Sequence, residues 1–465
     1  MKNLKILAGA VVFLISCGCR NVGEEALSAW EKTYPEILSQ IRVPVFEDTT
    51  YNIADYGAVS DNPGFLNQDI INSVIDLCSG NGGGVVNIPE GIWHTGPLVL
   101  KNNVNLHVAE GAILLFTSDT SRYPVVMTRW EGMDCINTSP MIYAYGQENI
   151  AITGEGTIDG GASPENWWDM RRLAAIPGKQ LRGRPLLMEW NERGTPVEDR
   201  VLRPSDNLRP QLVNFYKCKN ILIQDINLTR PAFWTIHPLM SENITVKGVN
   251  INTQGAPNGD GCNPESCKNV LIEGCFFNTG DDCIAIKSGR NNDGRKWNIP
   301  SENIIVRDCR MQNGHGGVVI GSEISGGDRN LFVENCEMDS PSLDRVIRIK
   351  TNNCRGGVIE NVYVRNVNVG QCREAVLKIN LIYEPGEICT RDFPPSVKNV
   401  FLDNVKCKQS QYGVYIAGYN DLRNIKSINL MNCEWSDVKE DNRIEGLVED
   451  LTFKKTTING IKVKL

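Results

Sequence analysis

The sequence predicts an all-β fold, a single-domain parallel β-helix with one N-terminal capping helix. From Gly84 onward, short strands rich in β-branched residues alternate with Gly, Asn and Asp turns. One phrase recurs, an Asn followed by three residues of which the first and third are apolar, at intervals of 23, 26, 34, 27 and 31 residues between Asn220 and Asn361. Short strands with this period indicate a solenoid, whereas a β-propeller would need repeats of about 40 residues.

The repeated asparagine marks one bend of each coil. We expect these side chains to stack as an amide ladder, each one bonded to the coil above. The asparagines are Asn149, Asn220, Asn243, Asn269, Asn303, Asn330, Asn361, Asn399 and Asn424.

One amphipathic helix precedes the strands, from Asn67, its expected N-cap, to Cys78. We expect its apolar face to cover the open end of the strand stack. That face carries Ile70, Ile71, Val74, Ile75 and Cys78. Residues 51–465 are assigned to the β-helix, and the net charge of −7 argues against a general nucleic-acid binder.

The first residues carry two lysines, an apolar run and a cysteine, which indicates an export signal too short to span a membrane. Leu14–Cys17 resembles a bacterial lipobox, so we expect a signal peptide over residues 1–16 and a lipid anchor at Cys17, in the periplasm or at the cell surface. Cleavage by an ordinary signal peptidase would instead give a soluble secreted protein. Residues 17–50 are then a tether and a lead-in that packs through Trp30 and Tyr34.

Sixteen cysteines are present, and export would allow disulfides. Cys275, Cys309 and Cys336 occupy the same position of the repeat, so we expect them to stack as buried, unbridged apolar groups. No CxxC pair occurs and the chain has four histidines, which gives little support to a zinc site. We therefore expect no metal and no cofactor.

Residues 160–210 interrupt the repeat, and long insertions in solenoids form loops on one face, often the binding face. Aromatic rings interleaved with arginines suit a carbohydrate that carries carboxylates. The same pattern would suit single-stranded nucleic acid or a solvated loop packed over the sheet. The side chains concerned are Trp167, Trp168, Trp190, Arg171, Arg172, Arg182, Arg184 and Arg193.

Four short polar motifs follow one another at about one coil each. Asp260 and Asp281 are 21 residues apart, and Asp282, His315 and Arg348 follow at intervals of 33. Because neighbouring coils lie about 4.8 Å apart, these side chains and Lys350 should converge on one face. Singly, each could cap a turn or solvate a surface, but together they predict a site.

The residue types predict acid–base chemistry on an acidic substrate. Crowding of three carboxylates raises the pKa of one, which can then act as a general acid. Arg348 and Lys350, two residues apart on a strand, project from the same face and can hold a substrate carboxylate. His315, between two glycines, can orient the acid or tune its pKa.

The motifs NGDG from Asn258, GDD from Gly280, GHG from Gly314 and RIK from Arg348 resemble those of the polygalacturonase family, glycoside hydrolase family 28. The likeness extends over nearly all of the chain after the first 50 residues, and PAFWTIHP from Pro231 resembles the bacterial exo-acting branch. The resemblance implies a right-handed β-helix and hydrolysis of α-1,4-linked galacturonate in pectin with inversion.

The resemblance also implies roles for individual residues. Asp281 would be the general acid, supported by His315, while Asp260 and Asp282 would activate the water. The implied substrate-binding residues are Asn258, Arg348 and Lys350. The first family motif usually reads N-T-D, and Gly259 replaces the Thr here, which puts the rigidity of this turn in doubt.

Inversion calls for acid and base carboxyl groups about 6.5–9.5 Å apart, more than neighbouring strands alone provide. We therefore expect turns at Gly259 and Gly280 to splay the pair, and a bend at Gly280 to turn both Asp281 and Asp282 toward the cleft. Three insertions, 160–210, 290–300 and 383–395, could close one end of the cleft and make the enzyme exo-acting.

Other functions remain open. An endo-polygalacturonase or a rhamnogalacturonan or xylogalacturonan hydrolase would use the same motifs. A β-helix lyase would need calcium-binding carboxylates and a basic residue to abstract a proton, and a non-catalytic glycan-binding protein would need no carboxylate cluster. In each case the expected partner is a pectic polysaccharide or an oligogalacturonide, not a nucleic acid, and we expect a monomer.

Overall fold

The computed structural model describes residues 22–170 and 183–463. The predicted signal peptide and Cys17 lie outside this part of the chain, as do Arg171, Arg172 and Arg182. The described residues form a right-handed parallel β-helix of three stacked sheets, which confirms the predicted fold class.

Two of the sheets are continuous with each other through long strands that belong to both. The first stacks Thr50–Asn52, Gly84–Ile88, Val104–Val108, Glu148–Thr153, Lys219–Gln224, Glu242–Lys247, Lys268–Glu273, Ser301–Arg307, Asp328–Glu334, Val358–Val369, Ser396–Cys407, Ile425–Met431 and Val448–Lys454. The second stacks Gly91–Thr95, Ala112–Phe116, Thr157–Asp159, Asn227–Thr229, Asn250–Asn252, Phe276–Asn278, Arg310–Met311, Glu337–Met338, Glu434–Trp435, Thr457–Ile458 and the antiparallel Ile461–Lys462.

The third sheet carries the polar motifs, and an antiparallel hairpin lies beside it. The third sheet comprises Leu98–Val99, Ile142–Tyr145, Val213–Tyr216, Ile236–Leu239, Ile284–Ile286, Val318–Gly321, Arg345–Lys350, Ala375–Asn380, Tyr412–Ala417 and Arg443–Glu445. The hairpin strands are Val125–Trp130 and Met133–Thr138.

Helices are few and lie outside the coils. In the described ranges they are α1 (Val22–Ser28), continued by a π-helical turn (Ala29–Thr33) into α2 (Tyr34–Gln40), then α3 (Gln68–Gly80), α4 (Gly183–Arg193) and α5 (Asn291–Trp297). Residues 167–170 are also helical. Short 3₁₀ turns occupy Ile53–Tyr56, Thr120–Arg122, Val197–Asp199 and Pro204–Asp206.

Inside the coils, like side chains stack on like. Ile150, Ile221, Ile244, Val270 and Ile304 share one register of the first sheet and are fully buried. Every coil adds one aliphatic residue to this column at the strand spacing of about 4.8 Å, so the core is continuous along the whole solenoid.

The predicted amide ladder is present, in two runs. Each Nδ2 donates to the preceding Oδ1 at 2.5–3.2 Å, from Asn103 to Asn243 and again from Asn269 to Asn399. All ladder residues have φ between 54° and 62°, a left-handed conformation that asparagine tolerates. The ladder breaks where Asn243 donates to Arg42 O and Asn269 to Gln40 Oε1, and Asn424 donates to Pro395 O instead.

The helical segment α1–α2 packs against the outer face of the first sheet. The Trp30 ring meets Phe332 edge-on at 5.0 Å, and the buried Tyr34 contacts the same ring at 5.6 Å. Residues 22–40 are therefore part of the folded body, held through the two aromatic residues that the sequence indicated. None of the helices in the described ranges is long and apolar enough to cross a membrane.

Helix α3 covers the N-terminal end of the stack, as expected from its pattern. Ile71, Val74, Ile75 and Cys78 are fully buried against the first coils. Asn67 does not cap the helix with its side chain; it is buried and bonds to Val59 and His94 instead. The Asn67 side chain thus joins the loop at Val59 and the strand at His94 to the start of the helix.

Twelve described cysteines are free and buried, and Cys275, Cys309 and Cys336 stack in neighbouring coils as predicted. A disulfide joins Cys354 to Cys389, 35 residues apart. No repeat position links these two residues, so the sequence pattern did not indicate the bridge.

Asp328 is an ionisable residue in the core, and its side chain has no hydrogen-bond partner among the described residues. Its side chain is fully buried, neither oxygen accepts a hydrogen bond from the described residues, and burial raises its pKa well above the ordinary value. A carboxyl group whose pKa is raised on folding destabilises the fold as pH rises from its unfolded pKa toward its folded pKa.

We expect Asp328→Asn to raise the free energy of unfolding by about 1–3 kcal/mol at pH 7 and to change it little near pH 4. Urea denaturation of both proteins at the two pH values measures this difference. An equal change at both pH values would contradict the assignment of the effect to ionisation.

Candidate active site

Backbone hydrogen bonds join the first three polar motifs directly. Gly261 N donates to Asp282 O at 3.0 Å, Cys283 N to Gly316 O at 2.9 Å, and His315 N to Asp281 O at 3.0 Å. These bonds are the ladder contacts of successive coils, so the one-coil spacing of the motifs is what brings them together. The fourth motif follows on the same sheet, with Lys350 paired in register to Gly321.

All seven predicted site residues meet at one cavity of about 570 Å³. Six of them line it: Asn258, Asp260, Asp281, His315, Arg348 and Lys350. The seventh, Asp282, lies fully buried immediately beneath and reaches the cavity through its partners Arg348 and Lys350.

The three carboxyl groups are closer together than expected. One oxygen from each of Asp260, Asp281 and Asp282 lies within 4.8 Å of the other two, so the predicted splaying to 6.5–9.5 Å is absent at their nearest oxygens. Gly280 does not splay them, because it packs against the preceding coil: a Cβ there would lie 2.3 Å from Ala256 O. The ladder hydrogen bonds hold both turns at the spacing of one coil.

Asp282 forms the ionic centre of the site. Its Oδ1 lies 3.3 Å from Arg348 Nη1 and its Oδ2 lies 2.6 Å from Lys350 Nζ, with all three side chains nearly buried. The two cations are thus bound to a catalytic-site carboxylate in addition to lining the cavity. The sequence placed them on the same face but did not reveal this pairing.

Asp281 and His315 form a second pair, with His315 Nδ1 2.9 Å from Asp281 Oδ1. Burial favours the neutral acid, but the hydrogen bond from His315 and the charge of Lys350 outweigh it and lower the pKa of Asp281 to about 2. The same hydrogen bond raises the pKa of His315. Both shifts favour an imidazole that donates this hydrogen bond to an ionised Asp281.

Crowding does raise the pKa of one carboxyl group, but that group is Asp260, not the predicted acid Asp281. Burial is the main cause, the charge of Asp281 adds to it, and Lys287 opposes it. Asn263 Nδ2 donates to Asp260 Oδ2 at 3.0 Å. The difference arises because His315 neutralises Asp281, whereas no cation forms a hydrogen bond or ion pair with Asp260 within the described part of the chain.

The first motif is rigid despite its glycine. A Cβ on Gly259 would lie 2.7 Å from the Ala256 Cβ, so the threonine of the usual motif would not fit this turn. Thr253 Oγ1 donates to the carbonyl of Gly259, and Arg209 Nη2 donates to Asn258 Oδ1 at 2.8 Å. Thr253, six residues earlier in the same coil, therefore supports the turn, which resolves the doubt about its rigidity.

Comparison with known proteins agrees with this geometry. The family model described as glycosyl hydrolases family 28 matches residues 127–442. The chain belongs to glycosyl hydrolase family 28. The predicted resemblance is thereby confirmed at the level of the family.

The structure is similar to that of a hyperthermoactive exopolygalacturonase from Thermotoga maritima, with a TM-score of 0.86 and 38% identity over 93% of this chain and 97% of that one. Among curated relatives, a probable polygalacturonase of Vitis vinifera is 28% identical over 68% of this chain, and an exo-poly-α-D-galacturonosidase of Dickeya chrysanthemi is 26% identical over 75%. The matches span 60% and 61% of those two relatives' own lengths.

Within this family 28 site, the aromatic residues of the insertion are not where the sequence placed them. Trp167 is buried against Tyr123, Trp168 Nε1 donates to Pro231 O, and Trp190 packs in a separate apolar cluster. The prediction that these rings bind sugar is wrong, because Trp167 and Trp168 pack on the core of the coils and Trp190 packs on a separate cluster that contains Leu187. The rings that line the cavity belong to Trp130, Trp234 and Tyr383.

Lys287 is a site residue that the motifs did not reveal. Its ammonium lies 2.8 Å from Glu323 Oε2 and 4.4 Å from the Trp234 ring centre, and the side chain lines the cavity. Strand pairing places Lys287 beside Glu265 and in the same row of the sheet as Lys350. Side chains two residues apart on a strand share a face, so Lys287 could have been found as the second residue after Ala285, which lies in the row of Arg348.

Three charged side chains line one part of the cavity, and a fourth, Arg290, is buried against two of them. Glu131 comes from the hairpin, Arg184 from α4, Arg290 from the start of α5 and Glu384 from the loop after Asn380. Arg184 Nε lies 2.7 Å from Glu131 Oε2, and Arg290 contacts both glutamates at 3.0 Å. We call these four residues the end wall. They come from the predicted insertions together with the hairpin.

The carboxylates also offer a possible cation site. Asp260, Asp281 and Asp282 are close enough to ligate one metal ion, but Arg348 and Lys350 already pair with Asp282. The other such group, Cys354, Glu387 and Cys389, has its thiols joined in the disulfide. The donor set therefore fits a proton-transfer site better than a metal centre.

Proposed function

We propose that this protein is an exo-acting glycoside hydrolase that removes galacturonate from α-1,4-linked galacturonan. The observation that carries the proposal is the cluster of Asp260, Asp281 and Asp282 beside two cations, in a cavity that Glu131, Arg184 and Glu384 of the end wall also line. The similarity to exo-acting relatives supports exo action. The cations provide a place for a substrate carboxylate, and the carboxylates provide acid–base groups.

In the proposed mechanism, the pair of His315 and Asp281 supplies the proton to the leaving oxygen. The pair already holds a proton in a 2.9 Å hydrogen bond. A bound sugar excludes water from Asp281, which favours the neutral acid and moves the proton onto the carboxyl group. His315 thus acts as the reservoir of the proton, and Asp281 as its donor.

Asp282, paired with two cations, is the proposed base, and Asp260 orients the attacking water with it. A water that bonds to two carboxylate oxygens at about 2.8 Å and a tetrahedral angle spans about 4.6 Å between them. The carboxylate oxygens of the cluster lie within 4.8 Å of one another, which leaves room for such a water. Inversion itself depends on the distance from this water-binding pair to the acid Asp281, and the family resemblance is the reason to expect it.

The stereochemistry tests this mechanism. We expect the first product seen by ¹H NMR to be β-galacturonate, from an α-linked substrate. A first product with the α configuration would mean retention, in which one of the close carboxylates is the nucleophile.

Time-resolved chromatography of products from polygalacturonate tests the activity. We expect galacturonate monomer alone from the start, because the end wall stops the chain from passing through. A ladder of oligomers would indicate an endo-hydrolase, and release only from branched pectins would indicate a rhamnogalacturonan or xylogalacturonan hydrolase. Products absorbing near 235 nm would indicate a lyase (roughly the band of an unsaturated uronate).

We also propose that residues 1–16 are a signal peptide, that the protein is exported and anchored through Cys17, and that it is monomeric. Residues 51–465 would form the catalytic domain and residues 17–50 the tether and lead-in. The Cys354–Cys389 disulfide supports an oxidising compartment. Detergent partitioning of the wild type and of Cys17→Ser tests the anchor, and size-exclusion chromatography tests the monomer.

A further inference from the structure

The end wall is organised around the guanidinium of Arg290, which is 1% exposed. Its nitrogens lie 3.0 Å from Glu131 Oε2, 3.0 Å from Glu384 Oε2, 3.1 Å from Glu387 Oε1 and 3.5 Å from Glu323 Oε1. Four glutamates from three segments of the chain are thus fixed by one buried cation. Such a network holds each carboxylate in one position, since any movement would leave charge unpaired.

Glu131 is placed by an unusual turn. It and Gly132 form the two-residue loop of the hairpin, with φ of 44° and 78°, the pattern of a type I′ turn. This turn favours Asn, Asp or Gly at its first position, so a glutamate there is strained. Arg290 N donates to Gly132 O at 2.8 Å, and a Cβ on Gly132 would lie 2.7 Å from Arg290 N. The strained turn holds Glu131 over the cavity.

Each of two glutamates of the end wall keeps one oxygen available to a ligand. Among the residues in the two described ranges, none donates a hydrogen bond to Glu131 Oε1 or to Glu384 Oε1. The nearest cation to Glu384 Oε1 is Arg184 Nη2, at 3.8 Å, beyond hydrogen-bond distance. Both glutamates line the cavity, and their side chains are 14% and 35% exposed.

A carboxylate repels the carboxylates of a polyanion, so it can bind this substrate only by accepting a hydrogen bond from a hydroxyl group. Every interior sugar of galacturonan carries a carboxylate and a 4-oxygen without hydrogen, because that oxygen is in the glycosidic bond. Only the sugar at the non-reducing end has a free 4-hydroxyl group that can donate to a carboxylate. The two glutamates can therefore accept a hydrogen bond from the 4-hydroxyl group of the chain end, and they find no such donor on a chain that continues.

We propose that Glu131 and Glu384 determine specificity for the chain end by accepting hydrogen bonds from the free 4-hydroxyl group of the terminal galacturonate. This inference rests on the proposed galacturonan hydrolase activity. Arg290 acts as the positioning residue that holds both acceptors. Recognition of the reducing end would instead depend on the anomeric hydroxyl group. The experiment below distinguishes the two by changing one end of the substrate at a time.

The test compares trigalacturonate with its 4,5-unsaturated analogue, which lacks the 4-hydroxyl group at the non-reducing end, and with trigalacturonate reduced at its other end. We expect the wild type to have a kcat/KM at least about tenfold higher on the saturated than on the unsaturated trimer. We expect reduction of the other end to have little effect.

Glu131→Ala and Glu384→Ala should each lower the saturated-to-unsaturated ratio at least about threefold, through loss of activity on the saturated trimer. Glu131→Gln keeps the side-chain shape and serves if the alanine variant does not fold. Glu302→Ala is the control, because Glu302 is 16% exposed and pairs with Lys268 and Arg329 on the first sheet, away from the cavity.

An unchanged ratio in folded Glu131 and Glu384 variants would overturn the inference, as would sensitivity to the reducing end alone. In both cases the wild type still hydrolyses trigalacturonate, so the proposed function stands. No hydrolysis of any trimer or polymer by the wild type would refute the proposed function, and the inference with it.

Discussion

Asp281→Asn is expected to lower kcat on polygalacturonate by about 10³-fold and to lower the free energy of unfolding less than Asp282→Asn does. Asparagine is nearly isosteric and still accepts the hydrogen bond from His315, but it cannot donate a proton to the leaving oxygen. Asp281 is partly exposed, with 18% of its side chain accessible, and it pairs with one half-exposed imidazole, whereas Asp282 pairs with two nearly buried cations.

The rate is measured from reducing ends released, and stability from urea denaturation. Glu302→Gln, which changes a carboxylate of the first sheet, is the matched control and should retain wild-type kcat. If Asp281→Asn kept more than about a tenth of the wild-type kcat, proton donation by Asp281 would be refuted.

Asp282→Asn is expected to abolish activity and also to destabilise the protein by about 3 kcal/mol. Its carboxylate is the partner of two nearly buried cations, Arg348 and Lys350. Removing one partner of a buried ion pair leaves the other charge uncompensated, which costs more than the pair itself contributes. The variant should therefore unfold at a lower urea concentration than Asp281→Asn.

The contrast between the two neighbouring residues is the useful measurement. Equal stability of the two variants would show that Arg348 and Lys350 are not held by Asp282 in solution. In the triple variant, where Arg348 and Lys350 are also replaced by methionine, much of the lost stability should return, since no buried cation is left unpaired.

The fold could be predicted because its determinants are local and repeated. The columns of Ile and Val and the asparagine at each bend recur in nearly every coil, so the period alone indicates a β-helix. Even the exceptions are informative: the ladder breaks between Asn243 and Asn269, where Gln40 and Arg42 approach. The repeat period gives no indication that the N-terminal segment contacts a distant coil.

The site could be predicted in part. The residues of the site were identified because residues one coil apart in the sequence of a solenoid lie on neighbouring strands. Which carboxyl group holds the proton could not be identified, because the pKa of Asp260 and of Asp281 depends on the positions of His315 and Lys287, at the ångström level. The same reason applies to the tryptophans of the insertion, which suggested sugar binding. Trp167 and Trp168 instead pack on the core of the coils, and Trp190 packs on a separate cluster.

The sequence by itself determined the coil, the family and the residues of the site, because all three are encoded at fixed intervals along one repeating axis. Tertiary structure alone decided the ion pairs of Asp282, the Cys354–Cys389 bridge and the end wall around Arg290. These depend on where loops of unequal length meet above the coils, and no period relates one loop to another. The coil thus places the three carboxyl groups of the site, and the loops above it carry the residues of the end wall.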